Sequence, residues 1–310
     1  MTLIGQKWVG GATLYAEELW AHREMMHGAI LHNQLPDSAR TWTSLGANGL
    51  NVRLLTVWVA EGLHRLTGMR IERSYLWIET AALLACCLLL YAFLEPYTGW
   101  RFALVSLLYW GTVLPLTYLQ HRFHPWDKPS IALWLLALIC TWRRRWWALG
   151  AVLFLGVMTK FDILVFPALV FLAFRKTDPW KDVVLRTAAL FALTISTFVF
   201  LCWLAPGGFE ERSVLGLVKT NLQALRATPF AYPPLLALGP AVLLAGLGYR
   251  TADHFARSCV QLAIMVAVLL FLQSHFVEFR AEVPLLILLL PAASYGLSRI
   301  THEESALPKR

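Results

Sequence analysis

Charge is what this sequence of 310 residues most conspicuously lacks: Asp, Glu, Lys and Arg make up 15% of it, against ~25% in an ordinary soluble domain. Cysteine is sparse too. None of Cys86, Cys87, Cys140, Cys202 and Cys259 has CxxC spacing, and all fall inside apolar runs, which excludes a disulfide frame or a zinc site and suits small core residues. A phosphate loop, a dinucleotide-binding glycine signature and a nucleophile elbow are all missing, which argues against cytosolic nucleotide chemistry. So is any short repeat, which excludes collagen and coiled coil. What is present instead is apolar surface: 58% hydrophobic residues and a mean hydropathy of +0.56. Such a chain is an integral membrane protein. Its pI of about 9.4 does not indicate a nucleic-acid partner, because Lys and Arg sit between hydrophobic runs rather than forming one basic stripe.

The chain divides at Tyr75. Residues 1–74 contain no run long enough to span a bilayer and are punctuated by Asn33-Gln34-Leu35-Pro36-Asp37 and Gly46-Ala47-Asn48-Gly49. Within them Val52–Leu66 sets Leu54, Leu55, Trp58, Val59 and Leu63 against Arg53, Glu61, His64 and Arg65, the pattern of a helix lying in the membrane interface. Residues 75–310 read as a transmembrane helical domain. Candidate spans are 75–95, 102–119, 129–142, 146–159, 161–174, 183–205, 232–249, 259–274 and 283–298. The expectation is therefore an all-α, polytopic transmembrane bundle of about nine spans with an N-terminal periplasmic amphipathic-helix segment. The third to fifth candidates fall well short of the ~20 residues that a ~30 Å hydrocarbon core requires. Thr159-Lys160-Phe161-Asp162 splits the fourth from the fifth, and a single kinked helix is the competing description.

Basic loops orient the bundle. Arg143-Arg144-Arg145, then Arg175, Lys176, Lys181 and Arg186, then Arg250 and Arg257, and finally Arg299, Lys309 and Arg310 recur on one side, which marks it cytoplasmic. This places the protein in the cell inner (plasma) membrane as a multi-pass protein, with residues 1–74 on the outer side. No signal peptide or first span carries them there, so a first helix is expected to be missing ahead of Met1.

Four polar segments then share the non-cytoplasmic face: Glu17 to His22, Gln120 to Lys128, Thr159 to Asp162, and His275 to Glu282. Ionisable groups at membrane depth are costly unless paired or hydrated, so a functional site is the default reading. Glu18 and His22 stand four apart, one face of a helix, where a carboxylate can serve as general base or the two can form a solvated pair. Asp127 opens a span, either complementing a helix terminus or serving the site. Lys160 lies between apolar runs, either snorkelling or binding a lipid phosphate as a point charge. Glu278, Arg280 and Glu282 alternate at a helix entrance. His121 and His124 beside Trp126 and Asp127 are the other polar candidates, and a divalent metal is left open.

Asp127 entering a span, Arg143-Arg144-Arg145-Trp146-Trp147-Ala148-Leu149-Gly150, then Gly156-Val157-Met158-Thr159-Lys160-Phe161 with Pro167 beyond, resembles the GT-C superfamily of membrane glycosyltransferases. The likeness is to the bacterial branch of protein mannosyltransferases and lipid A aminoarabinose transferases. Glu17-Glu18 with His22, followed by Asn51-Val52-Arg53-Leu54-Leu55-Thr56, looks like that family's first periplasmic loop, and Glu278-Phe279-Arg280 like its late charged loop. The resemblance implies transfer of a sugar from a polyprenyl-phosphate donor to an acceptor on the non-cytoplasmic face. Glu17 or Glu18 would be the general base and Asp127 a second acid shaping the site. Lys160 and Arg280 would meet the donor phosphate, with His22, His124 and Glu278 completing the substrate contacts. Family members begin with a transmembrane helix that this chain lacks. A transporter or flippase of a lipid-linked glycan, and a truncated non-catalytic relative, are the alternatives.

Overall fold

In the computed structural model, residues 24, 26–32, 53–115, 124–204, 214–227, 233–273 and 279–301 are described. Among them the protein is entirely helical, with no strand. A short helix covers 26–31, followed by α1 (Leu54–Thr67), α2 (Ile71–Thr98), α3 (Trp100–Val113), α4 (Asp127–Trp142) and α5 (Trp146–Thr159). A 3-10 turn (Phe161–Val165) leads into α6 (Pro167–Phe174). Then come α7 (Trp180–Leu204), α8 (Val214–Ala227), α9 (Pro233–Gly248), α10 (His254–Gln273) and α11 (Phe279–Ile300).

Among the described residues four segments are long and apolar enough to cross a membrane: Ile71–Pro96, Trp180–Leu204, His254–Leu272 and Glu282–Ile300. Trp146–Thr159, Phe161–Phe174 and Leu236–Gly248 are apolar but shorter. The chain is thus a helical membrane protein. Its four long helices serve different roles. The α11 segment is 78% buried inside the protein and forms its centre, whereas that of α2 is 22% buried and faces outward. Pro284 and Pro291 lie within α11, where neighbouring helices make the lost backbone bonds tolerable. Helices α9 and α11 touch backbone to backbone: a Cβ on Gly248 would collide with the Ala292 carbonyl, and one on Gly296 with the Leu244 carbonyl. Small residues at such a crossing replace the hydrophobic driving force that lipid cannot supply.

Helix α1 ends in a left-handed Gly68 (φ 67°), whose N–H bonds the His64 carbonyl at 2.9 Å. Its buried face is Leu54, Val57 and Ala60, while Trp58 and Val59 point outward. The expected apolar stripe is therefore split. One edge enters the protein, and the other is exposed.

Residues 146–174 form a reversal rather than a kinked helix. A continuous helix would put Trp146 and Phe174 about 42 Å apart, yet their ring centroids are 5.3 Å apart. At the other end a Cβ on Gly156 would overlap Ile163, which brings the turn back against α5. The α5 arm and the arm made of the 3-10 turn and α6 are each about 21 Å long, which lets them pair end to end.

The two ends of the bundle differ in charge. At one end the loops gather Arg. Asp178 bridges Arg144 and Arg186 at 3.0 Å each, and Arg175 donates to Gln261 at 3.4 Å. Phe93 near the end of α2 meets both Trp142 and Phe255 there. Arg144 adopts a left-handed φ of 55°, a strained turn residue that its ion pair with Asp178 helps to hold. Exposed tryptophans mark both levels. Trp77 and Trp100 bracket α2, and Trp180 and Trp203 bracket α7; each pair is about 34 Å apart along the helix, close to the thickness of a hydrocarbon core and its interfaces.

Candidate functional site

The end opposite the arginine loops holds a cluster built by three helix termini. His124-Pro125-Trp126 forms a turn in which the Asp127 N–H reaches the His124 carbonyl at 3.3 Å, and α4 starts at Asp127. Asp127, Ser130 and Trp134 then fall at i, i+3 and i+7, one face of the helix. Facing them, α5 stops at Thr159 because Lys160 turns extended (φ −163°, ψ 125°). The 3-10 turn that follows ends against Pro167, which opens a new helix at the position where its missing N–H costs nothing.

Lys160 thereby projects from the tip of the hairpin. Its ammonium lies 3.2 Å from Asp127 Oδ1 and 3.2 Å from Asp162 Oδ2. The other Asp162 oxygen accepts from Ser130 Oγ and Trp134 Nε1, both at 3.4 Å. Lys160 and Asp127 are 9% and 3% exposed, so this is a buried ion pair with a half-buried third member, Asp162, and not a snorkelling lysine. The Asp127 carboxylate, in the first turn of α4, reaches across to the hairpin through Lys160. Above it the Arg53 guanidinium lies 4.7 Å from the Trp126 ring centre and 5.4 Å from that of Phe161, a cation–π lid supplied by the start of α1. His124 meets Trp126 edge to face at 5.7 Å.

The triad is recessed. Cys86, in the middle of α2, donates to the Lys128 carbonyl at 3.4 Å, beside the first turn of α4. Counted along α2 from Trp77, or along α5 from Trp146 at the opposite level, the cluster lies about 13 Å inside the outer tryptophan level. A lysine held by two carboxylates sums to one negative charge. A phosphate could engage Lys160 only by displacing one of them, and would be repelled by the other.

Asp127, Lys160 and His124 are thus brought to one end of the protein. Glu17, Glu18, His22 and Glu278 lie outside the described residues. Arg280 stands in the first turn of α11, but its side chain also lies outside them. Glu282, two residues on, is 1% exposed with both carboxylate oxygens buried and without a hydrogen-bond partner. Among the described residues no group of three His, Cys, Asp or Glu side chains is placed to hold a metal ion. Ser130 and Trp134 were not singled out from the sequence, and their signal was the one-face spacing from Asp127; Asp162 was named only as the end of the polar break after Thr159.

A second polar line escaped the sequence altogether. His27 Nε2 lies 3.1 Å from Glu61 Oε2, and Glu61 also takes Arg65 Nε at 2.5 Å. A carboxylate only accepts, so Nε2 carries the donated proton and Nδ1 accepts from the Tyr75 hydroxyl at 2.7 Å. Burial holds the His27 pKa below its ordinary value, against the pull of Glu61, while the bond from Arg65 holds the Glu61 carboxyl low. The line ties the 26–31 helix to α1 and α2 across separations no local pattern reveals.

Compared with known proteins, the chain matches no family model, no curated protein and no solved structure.

Proposed function

We propose that the protein is an integral-membrane glycosyltransferase that moves a sugar from a polyprenyl-phosphate donor to an acceptor on the non-cytoplasmic face. In this reading the bundle makes about nine crossings of the plasma membrane, the three short apolar segments being completed by their polar ends, and residues 1–74 lie outside. The observation that supports it is the Asp127–Lys160–Asp162 triad, at the end of the bundle away from the arginine loops. There Lys160 is a cation that can exchange a carboxylate for a donor phosphate, and Asp127 is an acid released by that exchange. Glu17 or Glu18 is the base that takes the proton of the acceptor hydroxyl.

The test is incubation of the purified chain with labelled polyprenyl-phosphate sugars. Transfer should fall ~10²–10⁴-fold in Glu17→Gln or Glu18→Gln, the contribution of a general base. Lys160→Met should weaken donor binding as well as turnover. No transfer from any donor by the folded protein would refute the reading.

A second reading, transport of a lipid-linked glycan, is favoured by the depth of the triad. Buried charges at a broken helix near the middle of the bilayer are characteristic of transporters. Proteoliposome flipping of the same labelled lipids, without chemical change, would distinguish it.

A further inference from the structure

The arginine-rich end contains a second charged cluster, between α6 and α10, that the proposed reaction does not use. Arg175 and Lys176 immediately follow α6. His254, Arg257 and Gln261 fall at i, i+3 and i+7 on α10, one face of that helix, and Gln261 accepts from Arg175 Nη2 at 3.4 Å. Gln261 is itself fixed by donating to the Tyr249 hydroxyl at 3.0 Å. Lys176, Arg257 and Arg175 all act on the His254 ring with positive charge, and Asp253 is the one acid that opposes them.

Among the described residues no ion pair neutralises Arg175, Lys176 or Arg257. Asp178, the nearest acid in sequence, is spent on Arg144 and Arg186 at 3.0 Å each. One Asp253 carboxylate oxygen accepts from the Ala256 N–H at 2.8 Å, and Arg257 Nε donates to the Asp253 backbone carbonyl at 3.3 Å. Arg175 Nε and His254 Nε2 are both closed off from solvent and have no hydrogen-bond partner. Arg175 Nε can only donate, and His254 Nε2 donates in the tautomer that carries its proton there; in a cluster with three fixed positive charges and one negative, an anionic acceptor suits both.

We propose that this cluster is a binding site for a phosphate group, supplied by the headgroup of an anionic phospholipid. The level of the site favours the lipid as source. Arg175 follows Phe174, which packs on Trp146, and exposed Trp147 and Trp180 share this end of the bundle, the level at which lipid phosphates lie. A basic pocket between transmembrane helices is the arrangement that takes such headgroups. The Arg175 fork and the His254 ring face the phosphate oxygens, Arg257 closes from α10, and exposed Lys176 supplies the outer charge.

The full chain in phosphatidylcholine nanodiscs, with and without phosphatidylglycerol, tests this by native mass spectrometry and thermal unfolding. Phosphatidylglycerol should be retained through detergent exchange and should raise the melting temperature. Arg175→Gln and Arg257→Gln should each weaken retention about ten-fold, the loss of one charge-assisted hydrogen bond. Lys181→Gln, removing an exposed lysine at the same end, should change it less than about two-fold. Should Arg175→Gln fail to fold, His254→Gln and Arg257→Gln carry the comparison. Inorganic phosphate titrated into phosphatidylcholine discs should not reproduce the shift, and if it does the lipid source is overturned. Equal losses in Lys181→Gln and Arg257→Gln, or no loss in any variant, would overturn the site.

Discussion

Replacing Lys160 with methionine removes the cation between buried Asp127 and half-buried Asp162 and keeps most of the side-chain volume. Asp127 Oδ1 and Asp162 Oδ2 each lie 3.2 Å from the same nitrogen, so they are at most about 6.4 Å apart, and at an effective dielectric of ~20 their mutual repulsion is at least about 2.6 kcal/mol. The attraction each made to the ammonium is lost as well. Breaking a buried ion pair from one side costs about 3–5 kcal/mol, and Lys160→Met should fall in that range. Asp127→Asn should cost less, because Lys160 keeps Asp162. In the double variant one charge remains, and Asp162 retains its Ser130 and Trp134 donors. That variant should therefore be more stable than Lys160→Met alone. Unfolding in mixed micelles followed by tryptophan fluorescence, with Trp126 and Trp134 beside the cluster, measures all four corners of the cycle. A loss below about 1 kcal/mol in Lys160→Met, or a double variant that simply adds the two single losses, would refute a coupled triad.

The His27 line gives a pH dependence. Burial depresses the folded pKa of His27 below 6.5, so the unfolded segment binds more protons, and the stability this group contributes is complete above pH ~6.5 and lost as pH falls from there toward the folded value. His32, His64, Glu61 and Arg65 are the charged or titratable neighbours, and the Glu61 carboxyl, held low, contributes its own loss only at lower pH. Hydrogen-exchange protection of residues 26–31 should decline between pH 7 and pH 5, and a flat profile would refute the line. At the α9–α11 crossing, Gly296→Ala forces a methyl into the Leu244 carbonyl and should destabilise by about 1–3 kcal/mol or more, whereas Gly239→Ala, with open space around it, should not; equal effects would refute the close approach. Cysteines placed at Arg144 and Lys181 should be shielded from impermeant reagent in intact cells while one placed at Arg65 reacts. Equal labelling would remove the basis for putting the triad on the outer side.

Hydropathy and loop charge were enough to read this protein as a helical membrane bundle, because lipid leaves backbone groups no other partner and basic loops record insertion. The helix expected over Val52–Leu66 was legible for a similar local reason and forms as Leu54–Thr67; its stop at Gly68 was not read from the sequence. The break at Lys160 was legible, since a lone charge between apolar runs before Pro167 has few alternatives. What that break does was not legible. A kink and a reversal have the same sequence signature, and only the return of Phe174 to Trp146 distinguishes them. Asp127 and Lys160 could be suspected separately as a helix-terminus acid and a snorkelling cation. Their pairing, and the choice of Asp162 as the third member, depend on how the tip of the hairpin meets one face of α4. That His27 meets Glu61 and Tyr75 carried no signal, since residues 34 and 48 positions apart share no periodicity. Local patterns fix which segments bury and where helices stop; which buried charges meet is decided by the crossing of helices far apart in the chain, and only the tertiary structure holds that information.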